Sequence, residues 1–317
     1  MKGGAGRTSM RGMNARLATL ATSLLLLAVP IVTSHADDGT RDEWVAEGGH
    51  EVLMEHYTAT WCEICATVDP WMPDFTQANS GRVARVAMHD NFDDPMGTPI
   101  TAHRAQLHSS IPSAPTFWFD GEIMLGGAPS RATLHMELLS SEGRRSDDTR
   151  MSLSVAELAE GILSISVELS ELSSVGGRVS IFVLEDTVVI EPHQATNGIT
   201  EHHDVVRFYS ETSLDEGPEW DYPSENWGNS SHNPVTVTSS NSIVVTKVLE
   251  IAESVEVGGL RVVAVHESNT AEGNGVSTMG AVSVLLGNQA PTSRIALYVP
   301  IALVLGFSAF VTARSRQ

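Results

Sequence analysis

The sequence predicts an α/β layer unit followed by an all-β sandwich, with an apolar segment near each end of the chain. Three observations carry this. Strand-like and helix-like segments alternate from Glu51 to Ser141. Two-residue alternation dominates from Met151 to Leu286, with no long helix. Charge-free apolar runs lie at Leu17–Val32 and Ile295–Ala313. At 317 residues the chain suffices for about two ordinary domains, and 42% apolar residues are enough for packed cores.

In the first unit, spanning 44–142, Glu51–Thr60 is strand-like. Cys62–Asn79 is helical but interrupted by Pro70 and Pro73, since proline lacks the N–H that closes a helical turn. Arg82–His89 alternates as a strand does, Asn91–Gly97 is a polar loop, and Thr98–Ser110 is helical. Thr116–Phe119 is a short β-rich run, and Asp120-Gly121 signals a hairpin into Glu122–Leu125. Ser130 is placed to cap a last helix, Arg131–Ser141, with Leu134, Leu138 and Leu139 on one face. The order β-α-β-α-β-β-α is that of a layered unit with a mixed sheet.

Glu142–Thr149 reads as a linker, and patterning then changes. In the second unit, 149–287, the segments Met151–Leu158, Ile162–Leu169, Arg178–Leu184, Ile243–Ile251, Leu260–His266 and Ala281–Leu286 read as strands. They predict an antiparallel, immunoglobulin-like sandwich of about seven strands. Residues 191–242 form a long polar insertion with short strand candidates at Val205–Tyr209 and Val235–Val237.

The ends bear on location. Residues 1–36 read as a secretory signal peptide: Lys2, Arg7, Arg11 and Arg16, then an apolar run, then Ser34-His35-Ala36. An uncleaved anchor is the rival reading. After a linker at 288–294, Ile295–Ala313 would span about 28 Å as a helix, close to the roughly 30 Å hydrocarbon core. Arg314 and Arg316 in the tail 314–317 favour the cytoplasmic side, leaving the bulk of the chain outside, periplasmic or at the cell surface. Such a tail is also a candidate for removal and replacement by another anchor. These two ends hold seven of the 19 bases and no acid, which leaves 12 bases against 39 acids in 37–293, a balance of −27. That surface repels nucleic acid and anionic lipid headgroups.

The chain has two cysteines, Cys62 and Cys65, which excludes a disulfide-stapled scaffold and a four-cysteine zinc site within it. They sit between an apolar strand and a helix start. There, unpaired backbone N–H groups and the positive end of the helix dipole favour thiolate over thiol. Two intervening residues let one sulfur reach the other. Cys62 attacking a substrate disulfide would form a mixed disulfide for Cys65 to resolve. A purely structural disulfide and inert buried thiols are the competing readings.

The segment Thr60-Trp61-Cys62-Glu63-Ile64-Cys65 resembles the active-site motif of the thioredoxin superfamily. Pro70, eight residues after Cys62, matches the proline that kinks the active-site helix there. Ile111–Phe117 resembles the segment with that family's cis-proline, at Pro115, a bond that costs an X-Pro unit only about 0.5–1 kcal/mol. The resemblance implies that Ala114 offers backbone hydrogen bonds to a substrate chain, alongside Trp61, Glu63 and Ile64. Glu63-Ile64 departs from the usual Gly-Pro or Pro-His dipeptide, and a carboxylate beside Cys62 opposes the thiolate. The family's buried acid falls at His56, next to Glu55; strand alternation turns only one of the two toward the thiols. His56 is the expected proton acceptor for Cys65, with Asp69 as fallback. Met88-His89-Asp90, Glu201–Arg207 and Val262–Glu267 extend a looser resemblance, over 44–287, to outer-membrane-type surface proteins that pair a thioredoxin-like domain with a β-sandwich.

Weaker constellations remain. His193, Glu201, His202, His203, Asp204 and His232 are metal-ligand types without compact ligand spacing, so packing is the expectation. Arg207 is expected to pair with a local acid, and Trp220, Tyr222 and Trp227 to pack locally. Asn229-Ser230-Ser231 is a glycosylation sequon. The resulting expectation is a membrane-tethered thiol–disulfide oxidoreductase without a cofactor. It would act on protein disulfides or thiols and depend on a separate membrane redox partner. The alternatives are a redox-inactive adhesion module and, further off, copper delivery through the cysteines and a nearby histidine.

Overall fold

The computed structural model describes residues 42–108, 112–145, 149–172, 176–215, 220–223, 230–232, 236–239, 241–268 and 276–287. The expected signal peptide, the linker 288–294, the helix 295–313 and the tail 314–317 lie outside the described residues. Among those described, no helix is long and apolar enough to cross a membrane.

The first half contains β1 (Glu43–Gly48), β2 (Val52–Thr58), two 3₁₀ turns (Cys65–Thr67 and Asp69–Trp71), α1 (Met72–Ala78), β3 (Val83–His89), α2 (Pro99–Leu107), β4 (Thr116–Phe119), β5 (Ile123–Gly126) and α3 (Arg131–Arg144). The second is almost entirely strand: β6 (Arg150–Ala159), β7 (Ile162–Ser170), β8 (Arg178–Val189), β9 (Glu201–Ser213), β10 (Trp220–Pro223), β11 (Ser230–His232), β12 (Thr236–Ser239), β13 (Ser242–Glu250), β14 (Leu260–Glu267) and β15 (Thr278–Leu285). The fold is sheet-rich.

Two sheets form. One has the order β1-β6-β7-β13-β11, with β12 also on β13. The other runs β15-β14-β8-β9-β3-β2-β4-β5, with β10 on β9. Their inner faces share one core. In β7, Leu163, Ile165, Val167 and Leu169 are buried while Glu168 is exposed, the two-residue period of a strand with one wet face. The facing sheet contributes Val179, Ile181 and Val183 of β8 and Val262 and Ala264 of β14. The alternate residues of β8 and β14, Phe182, Leu184, Val263 and Val265, enter a second core on the opposite face with Ile100 of α2 and Val86 and Met88 of β3. Covered on both faces, β8 and β14 read as continuous apolar runs. A third core packs Met72 and Phe75 of α1 and Leu134 and Leu138 of α3 on the other side of β2, β3 and β4.

Several expectations need correction. The boundary between 142 and 149 does not separate two sheets, because β3 pairs with β9 in parallel through Ala87 and Val205 and so joins the halves. β1, inside the expected first unit, pairs antiparallel with β6 of the second. The expected insertion 191–242 contains β9, a 13-residue strand at the centre of the large sheet. Leu139 is 49% exposed, since it is rotated about 140° from Leu134 on a 3.6-residue helix. Ser130 does cap α3, its Oγ accepting from the Thr133 N–H at 3.1 Å. At the β4–β5 hairpin, Asp120 (φ 52°) and Gly121 (φ 74°) take the left-handed backbone conformation that primed turns require, and a Cβ at 121 would collide with the Val276 carbonyl oxygen.

One buried cation ties these layers together. Arg104 of α2 is fully buried. Its Nε donates to Glu55 of β2 at 2.6 Å, and its terminal nitrogens donate to both carboxylate oxygens of Glu267 of β14 at 3.0 and 2.7 Å and to the Tyr209 hydroxyl of β9 at 3.2 Å. The guanidinium also lies 5.3 Å from the Phe182 ring centre, a cation–π distance. Removing one partner of such a network leaves buried charge uncompensated. We expect Arg104→Met to lose about 3–5 kcal/mol of stability. Replacing Glu55, Arg104 and Glu267 together by Gln, Met and Gln should restore much of it, read from urea unfolding midpoints. A single variant as stable as the parent would show that the ion network does not hold the layers.

Candidate functional site

β2 delivers the chain from the middle of the large sheet to Ala59 and Thr60, and the cysteine loop follows. Cys62 and Cys65 form a disulfide with Cα atoms 5.2 Å apart. Cys65 is fully buried and Cys62 is 5% exposed, so of the two only Cys62 keeps any surface open to solvent. Trp61, Glu63 and Ile64 are exposed around it. The expected helix is not continuous. Cys65–Thr67 and Asp69–Trp71 are 3₁₀ turns, and α geometry begins only at Met72, because Pro70 and Pro73 remove two N–H donors within one turn of each other. The positive group at Cys62 is therefore local: the Cys65 backbone N–H points at Cys62 Sγ, 3.0 Å away.

On the far side of the sulfur pair, the Ala114–Pro115 peptide bond is cis. The Ala114 carbonyl oxygen lies 3.5 Å from Cys62 Sγ. Gly127 N–H donates to the Pro115 carbonyl at 2.9 Å, which fixes this segment against the end of β5. Residue 111 of the expected motif lies outside the described residues.

The titratable groups divide between the two faces of β2. Glu55 points toward α2, taking Arg104 and His108 Nε2 at 2.6 Å each. Burial would raise its carboxyl, but these two partners outweigh it and hold the group well below the usual carboxylate range. His56 points the other way and is fully buried. Its ring stacks on Phe117, its Nδ1 meets an Arg85 terminal nitrogen at 3.0 Å, and its Nε2 faces Asp69 Oδ1 at 3.5 Å. Burial first, then Arg85, hold His56 well below an ordinary histidine, so the ring is neutral. Its nitrogens are directed at Arg85 and Asp69 rather than at the sulfurs. Asp69, four residues after Cys65, is buried. Thr58 Oγ1 donates to its Oδ2 at 2.7 Å, and burial pushes its carboxyl up.

Two loops that sequence reasoning passed over hold the residues before Cys62. Thr60 N–H donates to Asp94 Oδ2 at 2.8 Å, and the same oxygen meets His89 Nδ1 at 3.1 Å. From the β8–β9 loop, Asn197 reaches Ala59, Thr60 and Cys62. The Asn-Gly pair at 197–198, a turn signal, was the one available pointer to it.

Of the insertion's histidines, His193 is exposed, and His202 and His203 make local contacts. His202 Nε2 meets the Ile199 carbonyl at 3.0 Å, and its ring sits edge-on to His89. His203, on the opposite face, pairs with Glu201 at 3.1 Å. Among the described residues no group of histidine, cysteine and acid side chains could hold a metal ion. Arg207 pairs with Glu185 at 2.6 Å. Trp220 and Tyr222 gather around His103, while residues 227 and 229 lie outside the described residues.

The His202–His89–Asp94–Thr60 chain gives a pH dependence. Burial, then the neighbouring His89, bring His202 from 6.5 down to about 4. A base whose folded value is depressed contributes stability above its unfolded value of 6.5. That contribution is lost as pH falls from 6.5 toward 4. We expect the unfolding free energy of His202→Gln, from urea titrations, to fall less between about pH 7 and about pH 4 than that of the parent, by up to about 3 kcal/mol. Equal slopes would show that His202 is not buried in its neutral form.

The sequence matches no family model, and no curated protein matches it. Among solved structures, the chain is similar to HBP35 of Porphyromonas gingivalis, with a TM-score of 0.56 and 15% sequence identity over 78% of this chain and 79% of that one. At that identity the likeness is one of fold.

Proposed function

We propose that the chain is a thioredoxin-like thiol–disulfide oxidoreductase, tethered to a membrane by residues 295–313 and working outside the cytoplasm. The observation that carries this reading is the Cys62–Cys65 disulfide. Its outer sulfur stands between an exposed rim and a cis-proline segment. A fully shielded second cysteine behind a first one that keeps some exposed surface is the arrangement that attack and resolution need.

In the exchange, a substrate thiolate attacks Cys62 Sγ. A new S–S bond forms, the Cys62–Cys65 bond breaks, and Cys65 leaves as thiolate and takes a proton. A second substrate thiolate then attacks the substrate sulfur of the mixed disulfide and releases Cys62. The substrate dithiol loses two electrons and two protons, and the chain gains them; reduction of a protein disulfide is the reverse. The Cys65 amide stabilises Cys62 as it leaves. Trp61 and Ile64 supply apolar surface to an incoming chain, Glu63 disfavours acidic neighbours of the substrate cysteine, and Ala114 and Pro115 align its backbone. Asp69, with His56 behind it, is the buried group that handles the proton of Cys65. A separate membrane redox partner resets the pair.

The full chain in mild detergent should accelerate insulin reduction by dithiothreitol, Cys62→Ser should fall to the uncatalysed background, and Cys65→Ser should trap a mixed disulfide with substrate. A wild-type chain no faster than buffer would overturn the reading in favour of a binding surface. The reduction potential sets direction, near about −270 mV for a reductant and about −120 mV for an oxidant.

A further inference from the structure

We propose that Asn197, contributed by the β-rich half, is a positioning residue for Cys62, so that the redox site is completed only by the loop between β8 and β9. This rests on the oxidoreductase reading and assigns part of that site to a segment 135 residues away in sequence.

The geometry is specific. Asn197 Nδ2 lies 3.2 Å from the Ala59 carbonyl oxygen and 3.2 Å from the Cys62 carbonyl oxygen. Its backbone N–H donates to the Thr60 carbonyl at 2.9 Å, which Thr196 Oγ1 also approaches at 3.4 Å. The amide orientation is set by its other end, since Oδ1 accepts the Ile199 N–H at 3.0 Å. A flipped amide would lose that bond and press its oxygen against two carbonyl oxygens. Gly198 at φ +86° turns the chain immediately after it. On the opposite flank Asp94 takes the Thr60 N–H. Residues 59–62 are thus gripped from both sides by chain far away in sequence.

The chemical consequence concerns the sulfur. Both N–H groups of the Asn197 side chain place positive ends on the backbone beside the residue that carries the thiolate once the disulfide opens. The Cys62 carbonyl, which also accepts the Ala66 N–H at 3.3 Å, is polarised away from the sulfur. In a water-poor setting such dipoles act more strongly than in bulk solvent. Asn197 also fixes the φ/ψ of the loop, and hence where Sγ stands against Ala114.

The test uses the full chain. In a Cys65→Ser background, where a single thiol titrates, the pH midpoint of iodoacetamide alkylation of Cys62 is measured for Asn197, Asn197→Ser, Asn197→Ala and Asn197→Asp. With both cysteines present, insulin reduction is measured for the same series. We expect the midpoint to rise in the order Asn, Ser, Ala, Asp. We expect kcat/KM to fall up to about tenfold at Ala, the factor that corresponds to one lost hydrogen bond. Gln194→Ala, an exposed change in the same loop whose side chain accepts from Glu191 N–H, should leave both readouts unchanged. A lower melting temperature with an unmoved midpoint would overturn the proposal, as would failure of all three substitutions to fold, since either assigns Asn197 to the scaffold. A wild-type chain that reduces no insulin sinks the oxidoreductase reading instead, and the alkylation midpoint still decides the role of Asn197.

Discussion

A guanidinium with no access to water governs this fold. Arg104 can be buried only because two carboxylates, a phenol and an aromatic face meet its donors and its charge. Those partners come from β2, β9, β14 and β8, elements far apart in sequence. An uncompensated charge in that position would be far more costly than any single apolar defect. The network therefore accepts one arrangement of α2 against the sheet and penalises any slippage between the halves. It also explains Glu55, an acid in the middle of a strand whose neighbours are all buried, which without Arg104 and His108 would have no reason to be there.

Holding β9 beside β3 has a second effect. The loop entering β9 is carried to the end of β2, where the cysteines begin. The β-rich half is then not a neighbour of the sulfur site but one of its walls. The contacts are directional: carbonyls of residues 59, 60 and 62 are met by donors from 196 and 197, and the amide of residue 60 by an acid from the β3–α2 loop. A small loop with two prolines close behind it cannot build a long helix to orient itself. Outside anchors supply the rigidity that a helix would otherwise provide.

Much of this was legible from residue order. Most strand and helix segments of the first half, the hairpin at Asp120-Gly121, the Ser130 cap and most strands of the second half follow from local periodicity and turn chemistry, and the structure places them within a few residues of the expected bounds; the exception is the helix expected from Cys62, which begins only at Met72. The segments that escaped notice have physical reasons. β1 is an edge strand whose outward positions include Val45, 53% exposed, so its alternation is blurred. β9 carries His202, Asp204, Ser210 and Thr212 at buried positions. Asp204 is met by Arg85 of β3 and Arg261 of β14, pairings that no local pattern announces, so the polar flanks read as loop and only Val205–Tyr209 reads as strand. Leu139 shared a plausible helical face with Leu134 and Leu138 but faces outward.

The site divides the same way. Sequence by itself determined the sulfur pair, the prolines that break the helix behind it, the exposed residues around it and the acidic surface, because each depends on residue type and on neighbours within a few positions. Tertiary structure alone decided that Cys65 is the more deeply buried of the pair, that His56 turns to Arg85 and Asp69, that Glu55 belongs to the Arg104 network, and that Asn197 grips the cysteine loop. Those outcomes depend on which distant strands lie side by side. Hydrogen bonds and buried charges act over a few ångströms, and no local pattern records which remote chain segment will come within that distance.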